Sequence, residues 1–401
     1  MRNLHFMGFG KEASIYLLYL CMLFTEIIGQ EPIKNHLQKS AINGRIPHAQ
    51  LFIGKEGSGT LPMAIAYAQF LLCNSSVNSE ACHLKCNNLQ HPDLHFAFPV
   101  TTTDAVKKHA VSNLFLKDWR TFIKEQPYGS LFNWLQQIGV ENKQGNIGVA
   151  EAEEVVKKLQ LKSYEGGFKV MIIWMAEKMN LEAANKLLKL IEEPPNKTVF
   201  ILVTENEEQI INTIKSRCQA LNFPVLSEQD IISNLVSREK ISKNEATKIA
   251  QQAEGNYNKA IHLLHHDASD LIFEEWFIAW IRTAFKAKGN ASVVQQLIAW
   301  SDTIAKTGRE TQKRFLDYCL QFFRQALLLN YTSESLVFLE TKTAFDLSKF
   351  APFVHSGNIL EIETALNDAV YHIERNGNAK IILLDLSMKL TRFLHKKEES
   401  L

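Results

Sequence analysis

Residues able to do chemistry gather at three places in this chain. The first is Gly54-Lys55-Glu56-Gly57-Ser58-Gly59-Thr60-Leu61, which lies between an apolar run and a helical stretch. A working phosphate loop reads G-x-x-x-x-G-K-[ST]. Its glycines let backbone N–H groups surround phosphate oxygens, its lysine neutralises the transferred phosphoryl group and its hydroxyl holds magnesium. Here Thr60 takes the lysine position, Leu61 takes the hydroxyl position, and Lys55 lies at the wrong end to substitute. The other half of such a site is an acidic pair closing a later strand. After Ile172-Ile173 this chain has Trp174-Met175, which can neither bind a cation nor orient water, and Glu177 comes too late to replace them. Both halves are lost, so no ATP hydrolysis is expected. Gly54, Gly57 and Gly59 keep a backbone nest for weak nucleotide binding or none.

The second place holds Cys73, Cys82 and Cys86. Thiolates are zinc ligands, and four donors complete a tetrahedral site. Only three thiols are present. His83, His91 or His95 could supply a fourth donor, although His83 adjoins a ligand and would strain the loop. The plain alternative is a set of thiols that binds no metal. The third place is Ser216-Arg217-Cys218, on a turn just before a strand. A guanidinium keeps its proton and its planar fork matches phosphate oxygens. A surface salt bridge is the ordinary fate of a lone arginine.

These groups must be positioned by a chain of 401 residues, long enough for two or three domains. Lys and Arg total 44 against 43 Asp and Glu, a net charge of +1. That balance speaks against a basic nucleic-acid protein acting alone and against an acidic or disordered hub. Hydrophobic residues make up 46%, enough for a sizeable core, and 18 Gly with 10 Pro leave few helix breakers. Six cysteines in this length are no disulfide scaffold, so the reading is an intracellular, cytoplasmic globular protein. The longest apolar run, Ile15–Phe24, is too short for a bilayer span of ~20 residues, and no small-x-small cleavage site follows it. No membrane role is expected, and residues 1–21 read as an extension upstream of a natural start at Met22.

From residue 25, short apolar strands alternate with helical stretches, the pattern of a parallel α/β sheet. Gln50–Ile53, Lys169–Ile173, Thr198–Val203 and Ala220–Phe223 read as strands. Thr60–Leu72, Ala150–Leu161 and Leu181–Ile191 read as helices, the last stopped by Pro194-Pro195. Beyond Pro224 the period is helical throughout. Three short helices fit 227–266, and a capping box at Ser242-x-x-Glu245 marks one start. Longer helices follow a joint at His265–Asp270: Leu271–Lys286, Ser292–Thr307, Arg309–Leu329, Ile359–Asn376 and Ala379–His395. The expected division is 22–224 α/β, 225–267 a helical lid and 268–401 a helical domain. Between Asp104 and Gly145, Phe115, Trp119, Phe122, Tyr128, Phe132 and Trp134 read as an inserted helical pair packed on the sheet rather than as a base-stacking platform.

Seven stretches recur in one order: Ile28-Gly29-Gln30, Gly44-Arg45-Ile46-Pro47-His48-Ala49, the degenerate glycine loop, His91-Pro92-Asp93-Leu94, Asn185-Lys186-Leu187-Leu188, Glu192-Glu193-Pro194-Pro195 and Ser216-Arg217-Cys218. Together they resemble the AAA+ clamp-loader subunits of bacterial DNA polymerase III, most closely the non-hydrolysing delta-prime type. The resemblance covers residues 25–224; the helical remainder agrees in length and layout without a motif of its own. It implies an α/β AAA+ P-loop domain with a parallel sheet, then a small helical lid and an all-α collar domain. It implies that Arg217, flanked by Ser216 and Cys218, is an arginine finger offered to ATP bound by a neighbouring subunit. Active relatives carry a nucleotide-sensing arginine in a G-x-x-R pattern of the lid, where Gly255-Asn256-Tyr257-Asn258 leaves Asn258. The family's zinc module, C-x8-C-x2-C-x2-C, keeps here the gap from Cys73 to Cys82 and then offers only Cys86. No cofactor of the chain's own is required on this resemblance; zinc on Cys73, Cys82 and Cys86 stays open.

The function expected is therefore that of a non-hydrolysing subunit of the polymerase III holoenzyme. Its partners would be a gamma/tau-type ATPase subunit and the delta subunit, with the sliding clamp and primed DNA met through the assembled complex. Two other readings stay open: an active gamma/tau-type ATPase with an unorthodox site, and a metal-dependent nucleic-acid binder built on the cysteine loop. Lys178, Lys186, Lys189 and Lys197 suit a DNA backbone or a solvated helix face. Phe322-Phe323 suit a partner surface or ordinary bundle core.

Overall fold

The computed structural model describes residues 24–74, 79–140, 143–265, 268–331, 341 and 343–397, so the expected extension 1–21, the start at Met22 and residues 266–267 of the expected joint lie outside it. The chain divides into two compact units, and the division falls within two helices, Lys243–Ala253 and Tyr257–His265.

The first unit is built on a five-stranded sheet in the order β2-β3-β4-β1-β5, with β1 Ala49–Gly54, β2 Leu94–Ala97, β3 Lys169–Trp174, β4 Thr198–Thr204 and β5 Gln219–Phe223. Every pairing is parallel, and Leu51 on β1 stands between Leu202 and Ala220. β3 and β4 are buried at every position, which is why they read as continuous apolar runs. Helices cover the sheet: α1 Glu31–Ile42, α2 Thr60–Cys73, α3 Ser79–Asn87, α4 Leu116–Glu125, α5 Leu131–Gln137, α6 Val149–Gln160, α7 Leu181–Glu192, the short α8 Asn212–Lys215 and α9 Glu228–Asn234. α2 is buried along nearly its whole length and carries Pro62 in its first turn, where a missing N–H costs nothing. The side chain of Asn180 caps α7 by accepting the Ala183 N–H at 2.8 Å, and the helix ends two residues before Pro194.

The four expected strands are present. β2 adds a fifth that the sequence reading omitted: it is four residues long and follows the His91-Pro92-Asp93 turn without a second marker. The aromatic insert forms α4 and α5 and packs as core, with Trp119 and Trp134 at 0% exposure. Trp119 stacks on Phe98 at 4.0 Å, and the Trp134 indole N–H donates to the Pro99 carbonyl at 2.7 Å.

The second unit is helical: it takes in Thr247–Ala253 of α10 (Lys243–Ala253) and the part of α11 (Tyr257–His265) from Ala260 onward, and then come α12 Ala268–Ala287, α13 Ala291–Ala305, α14 Arg309–Tyr331, the short α15 Leu347–Phe350, α16 Ile359–Glu374 and α17 Ala379–Phe393. Its core gathers Phe277, Trp280, Phe315, Phe322 and Phe323. Phe322 and Phe323 are fully buried there, so of their two readings the bundle core is the one observed. Trp280 stacks on Trp300 at 4.9 Å and donates to Ser387 Oγ at 2.8 Å, pinning α12 to α13 and α17. None of the described helices is long and apolar enough to cross a membrane.

Candidate functional site

The glycine loop joins β1 to α2 as expected, and its conformation needs its glycines. Gly57 and Gly59 lie at φ +71° and +92°, where a side chain would be strained. A Cβ at Gly54 would stand 2.6 Å from Ser58 Oγ and 2.8 Å from Phe223 Cβ. The cradle is covered by the chain itself. Gly57, Ser58, Gly59 and Thr60 are all buried. The Tyr257 N–H reaches the Gly57 carbonyl at 3.3 Å, and the Asn256 side-chain oxygen occupies the place a Gly57 Cβ would take. Glu56 Oε1 accepts from the amides of Asn258 at 2.8 Å and Asn256 at 3.3 Å. Asn258 also donates to Asn133 Oδ1 at 3.0 Å, which brings the insert into the same cluster.

Two further residues close the loop. Gln30 donates to the carbonyls of Ser58 at 3.0 Å and Pro224 at 2.7 Å, so one amide ties the start of α1 to the loop and to the end of β5. Tyr128, from the insert, accepts the Ile28 N–H at 2.8 Å, lies against Gly59 and meets the Tyr257 ring at 5.0 Å. Glu56, Gln30 and Tyr128 were not singled out as site residues; Gln30 had a signal in the Ile28-Gly29-Gln30 stretch, Glu56 stands within the glycine loop without an assigned role, and Tyr128 reads only as part of the packed insert.

At the end of β3, Trp174 is buried under the insert, 5.2 Å from the Trp119 ring, and Met175 is 4% exposed at φ +54°. Glu177 reaches across to the residue that follows β4: Oε1 accepts the Glu205 N–H at 3.1 Å, and burial raises the carboxyl's pKa. The glycine loop therefore has no lysine at the phosphate-binding position, where Thr60 stands, no metal-binding carboxylate at the strand end and no open cradle.

Arg217 follows α8. Its Nε–H donates to Glu192 Oε2 at 3.1 Å and its Nη1 to the Thr213 carbonyl at 2.9 Å, with 32% of the side chain exposed. Ser216 Oγ donates to the same Thr213 carbonyl at 3.3 Å. Cys218 packs against the sheet core, and burial pushes its thiol up to about 11.

The three clustered cysteines converge. Cys73, Cys82 and Cys86 are buried, with their sulfurs within 4.8 Å of one another, close to the spacing of thiolates sharing one tetrahedral zinc. Cys73 and Cys82 are joined as a disulfide, which the sequence reading did not foresee, and Cys86 Sγ lies 3.8 Å from Cys73 Sγ. Disulfide and metal are alternative states of these sulfurs, because a disulfide offers no thiolate. Of the three histidines, His83 is held by Gln69 at 3.0 Å and His95 sits on β2, while His91 alone joins a donor cluster with Cys82 among the described residues. His91 Nε2 is buried without a hydrogen-bond partner and faces Glu165 at 3.4 Å. His91 Nδ1 accepts the Asp93 N–H at 3.1 Å, so a metal on Nε2 would require the ring to change tautomer and give up that bond. Three donors fit zinc; His91 clusters with Cys82 and Glu165 rather than with all three sulfurs, so as a fourth donor it would have to move as well as change tautomer.

A parallel sheet in this order with a glycine loop after β1, followed by helices, defines an AAA+ P-loop-type protein. Residues 29–227, about half of the chain, match the family described as DNA polymerase III, delta subunit. The chain is 26% identical over 258 residues to DNA polymerase III subunit tau of Bacillus subtilis, covering 63% of this chain and 38% of that protein. It is 28% identical over 243 residues to subunit delta' of the same organism, covering 59% and 60%. The chain thus spans less than two thirds of the length of these relatives. A solved structure, a DNA polymerase III gamma subunit-related protein of Thermotoga maritima, aligns over 90% of this chain and 99% of its own at 14% identity and a TM-score of 0.35. The chain belongs to the clamp-loader subunit family of bacterial DNA polymerase III.

Proposed function

We propose that this chain is the non-hydrolysing, delta-prime-type subunit of a clamp loader. It sits beside a gamma/tau-type ATPase subunit, offers Arg217 to the ATP held there, and with the delta subunit helps to load the sliding clamp on primed DNA. The observation that carries the first part is the covered glycine loop: Glu56, Asn256, Tyr257 and Asn258 take up the groups and space a polyphosphate would need. The relatives named tau and delta' match at similar identity, so it is the site chemistry that favours the non-hydrolysing reading over an active gamma/tau-type ATPase. Arg217 supports the second part: it is partly exposed, permanently charged and anchored on the turn before β5. DNA contact is proposed through the complex; among the lysines considered, Lys186 is already paired with Glu153 at 2.5 Å. Zinc is the metal these residues could hold, on the reduced thiols of Cys73, Cys82 and Cys86 with His91, where it would tie α2 to α3.

The test is ATP turnover by the gamma/tau-type subunit assembled with delta, this chain, clamp and primed DNA. The chain alone is expected to be silent, and Arg217→Ala to lower the assembled rate by at least ~10-fold. Turnover by the isolated chain would transfer support to the ATPase reading. An unchanged rate with Arg217→Ala, in a complex shown to assemble, would leave a scaffold without a finger.

A further inference from the structure

The acidic end of α7 is a sequence stretch that the proposed function leaves without a task. The helix finishes at Glu192, followed by Glu193 and Pro194-Pro195. A carboxylate at a helix C-terminus faces the negative end of the helix dipole, so the position is unfavourable unless a cation answers it. Arg217 answers it across 25 residues of sequence, through the 3.1 Å contact of its Nε with Glu192 Oε2. The Thr213 carbonyl makes the second anchor at 2.9 Å. A guanidinium has five N–H donors, and among the described residues Arg217 Nη2 donates no hydrogen bond.

We infer that Glu192 is the positioning residue of the Arg217 finger, holding the guanidinium against the end of α7 while its Nη2 is left without an acceptor among the described residues. This rests on the finger reading proposed above. A free arginine must surrender rotamer freedom when it engages a phosphate, and a tethered one has surrendered it beforehand. The ion pair is 32% exposed on the arginine side and 54% on the glutamate side, a setting in which such pairs contribute little to stability. Orientation is the effect left to it. An incoming phosphate needs no departure of Glu192, because Nη2 remains for it.

The experiment uses the full chain in the assembled complex with gamma/tau-type and delta subunits, clamp and primed DNA. Wild type, Glu192→Ala, Glu192→Asp, Arg217→Ala and the Glu192→Ala/Arg217→Ala double variant are compared. Glu192→Ala is expected to lower kcat about threefold to tenfold, the loss that immobilising one rotamer-rich side chain at an interface brings, with KM for ATP unchanged. Glu192→Asp should recover part of that loss, and Glu192→Ala should add nothing in the Arg217→Ala background. The Arg217 Nε–H resonance of the full chain gives a readout independent of turnover: its exchange with water should quicken in Glu192→Ala and stay partly protected in Glu192→Asp. If Arg217→Ala lowers the rate while Glu192→Ala leaves it at wild type, the finger stands and the tether is overturned. An equal loss from Glu192→Ala with or without Arg217 would also overturn it, by placing the effect elsewhere. If Arg217→Ala itself runs at the wild-type rate, the finger reading fails and Glu192's role in turnover goes with it.

Discussion

Thr60 and Leu61 are 8% and 3% exposed, built into the first turn of a helix that has almost no solvent face. Restoring a lysine and a hydroxyl at these positions does not by itself restore a site, because Asn256, Tyr257 and Asn258 still cover the loop. Thr60→Lys with Leu61→Thr is expected to show no saturable binding of a fluorescent ATP analogue, with circular dichroism checking that the variant folds. The losses at Thr60, Leu61, Trp174, Met175 and Asn258 are legible in the sequence because a motif fixes each position along the chain. Glu56 is not legible in that way. Its two partners stand 200 and 202 residues further on, and only folding brings the three together. The same holds for His91, which sequence spacing could not separate from His83 and His95.

Among the elements, the insert α4–α5 packs as its sequence pattern leads one to expect and reaches further than that pattern shows. Its aromatic residues are core, as their number and scarcity of neighbouring charge suggested, with Trp119 touching Phe96, Phe98, Phe122, Trp134 and Trp174. Trp119→Ala should therefore cost about 3–5 kcal/mol, the usual loss for a fully buried large aromatic side chain, measured by urea unfolding. What the sequence withheld is that the insert also reaches the glycine loop, through Tyr128 and Asn133. An apolar pattern reports that a residue is buried, not which distant loop it is buried against. β2 was missed for a related reason: four residues carry too little periodicity to distinguish a strand from the turn before it.

For the whole molecule, stability should respond to acid through groups that folding keeps uncharged. Burial first, then the Lys158 ammonium with smaller effects of Lys169 and His91, holds His95 at about 4 despite the opposing charge of Asp93. Between the ordinary histidine value of 6.5 and about 4, the unfolded chain takes up a proton that the folded chain refuses, so stability falls as pH falls through that window. Burial raises the Glu151 and Glu177 carboxyls, which act with the opposite sign above the ordinary value of 4.5. Replacing His95 by Gln should thus make the urea midpoint less sensitive to acid between pH 6.5 and 4, the difference from wild type shifting steadily in favour of the variant.

Strand β1 lies inside the sheet between β4 and the edge strand β5, yet these two neighbours begin only at Thr198 and Gln219. On a ribosome adding ~5–20 residues per second, the segment Gln50–Ile53 is made roughly 7–30 s before the first strand able to pair with it. During that interval its Leu51, Phe52 and Ile53 have no sheet to enter. Synthesis of this protein consequently draws on whatever shelters nascent apolar segments in the cell, and slower translation between residues 54 and 198 lengthens the exposure rather than helping the sheet to form.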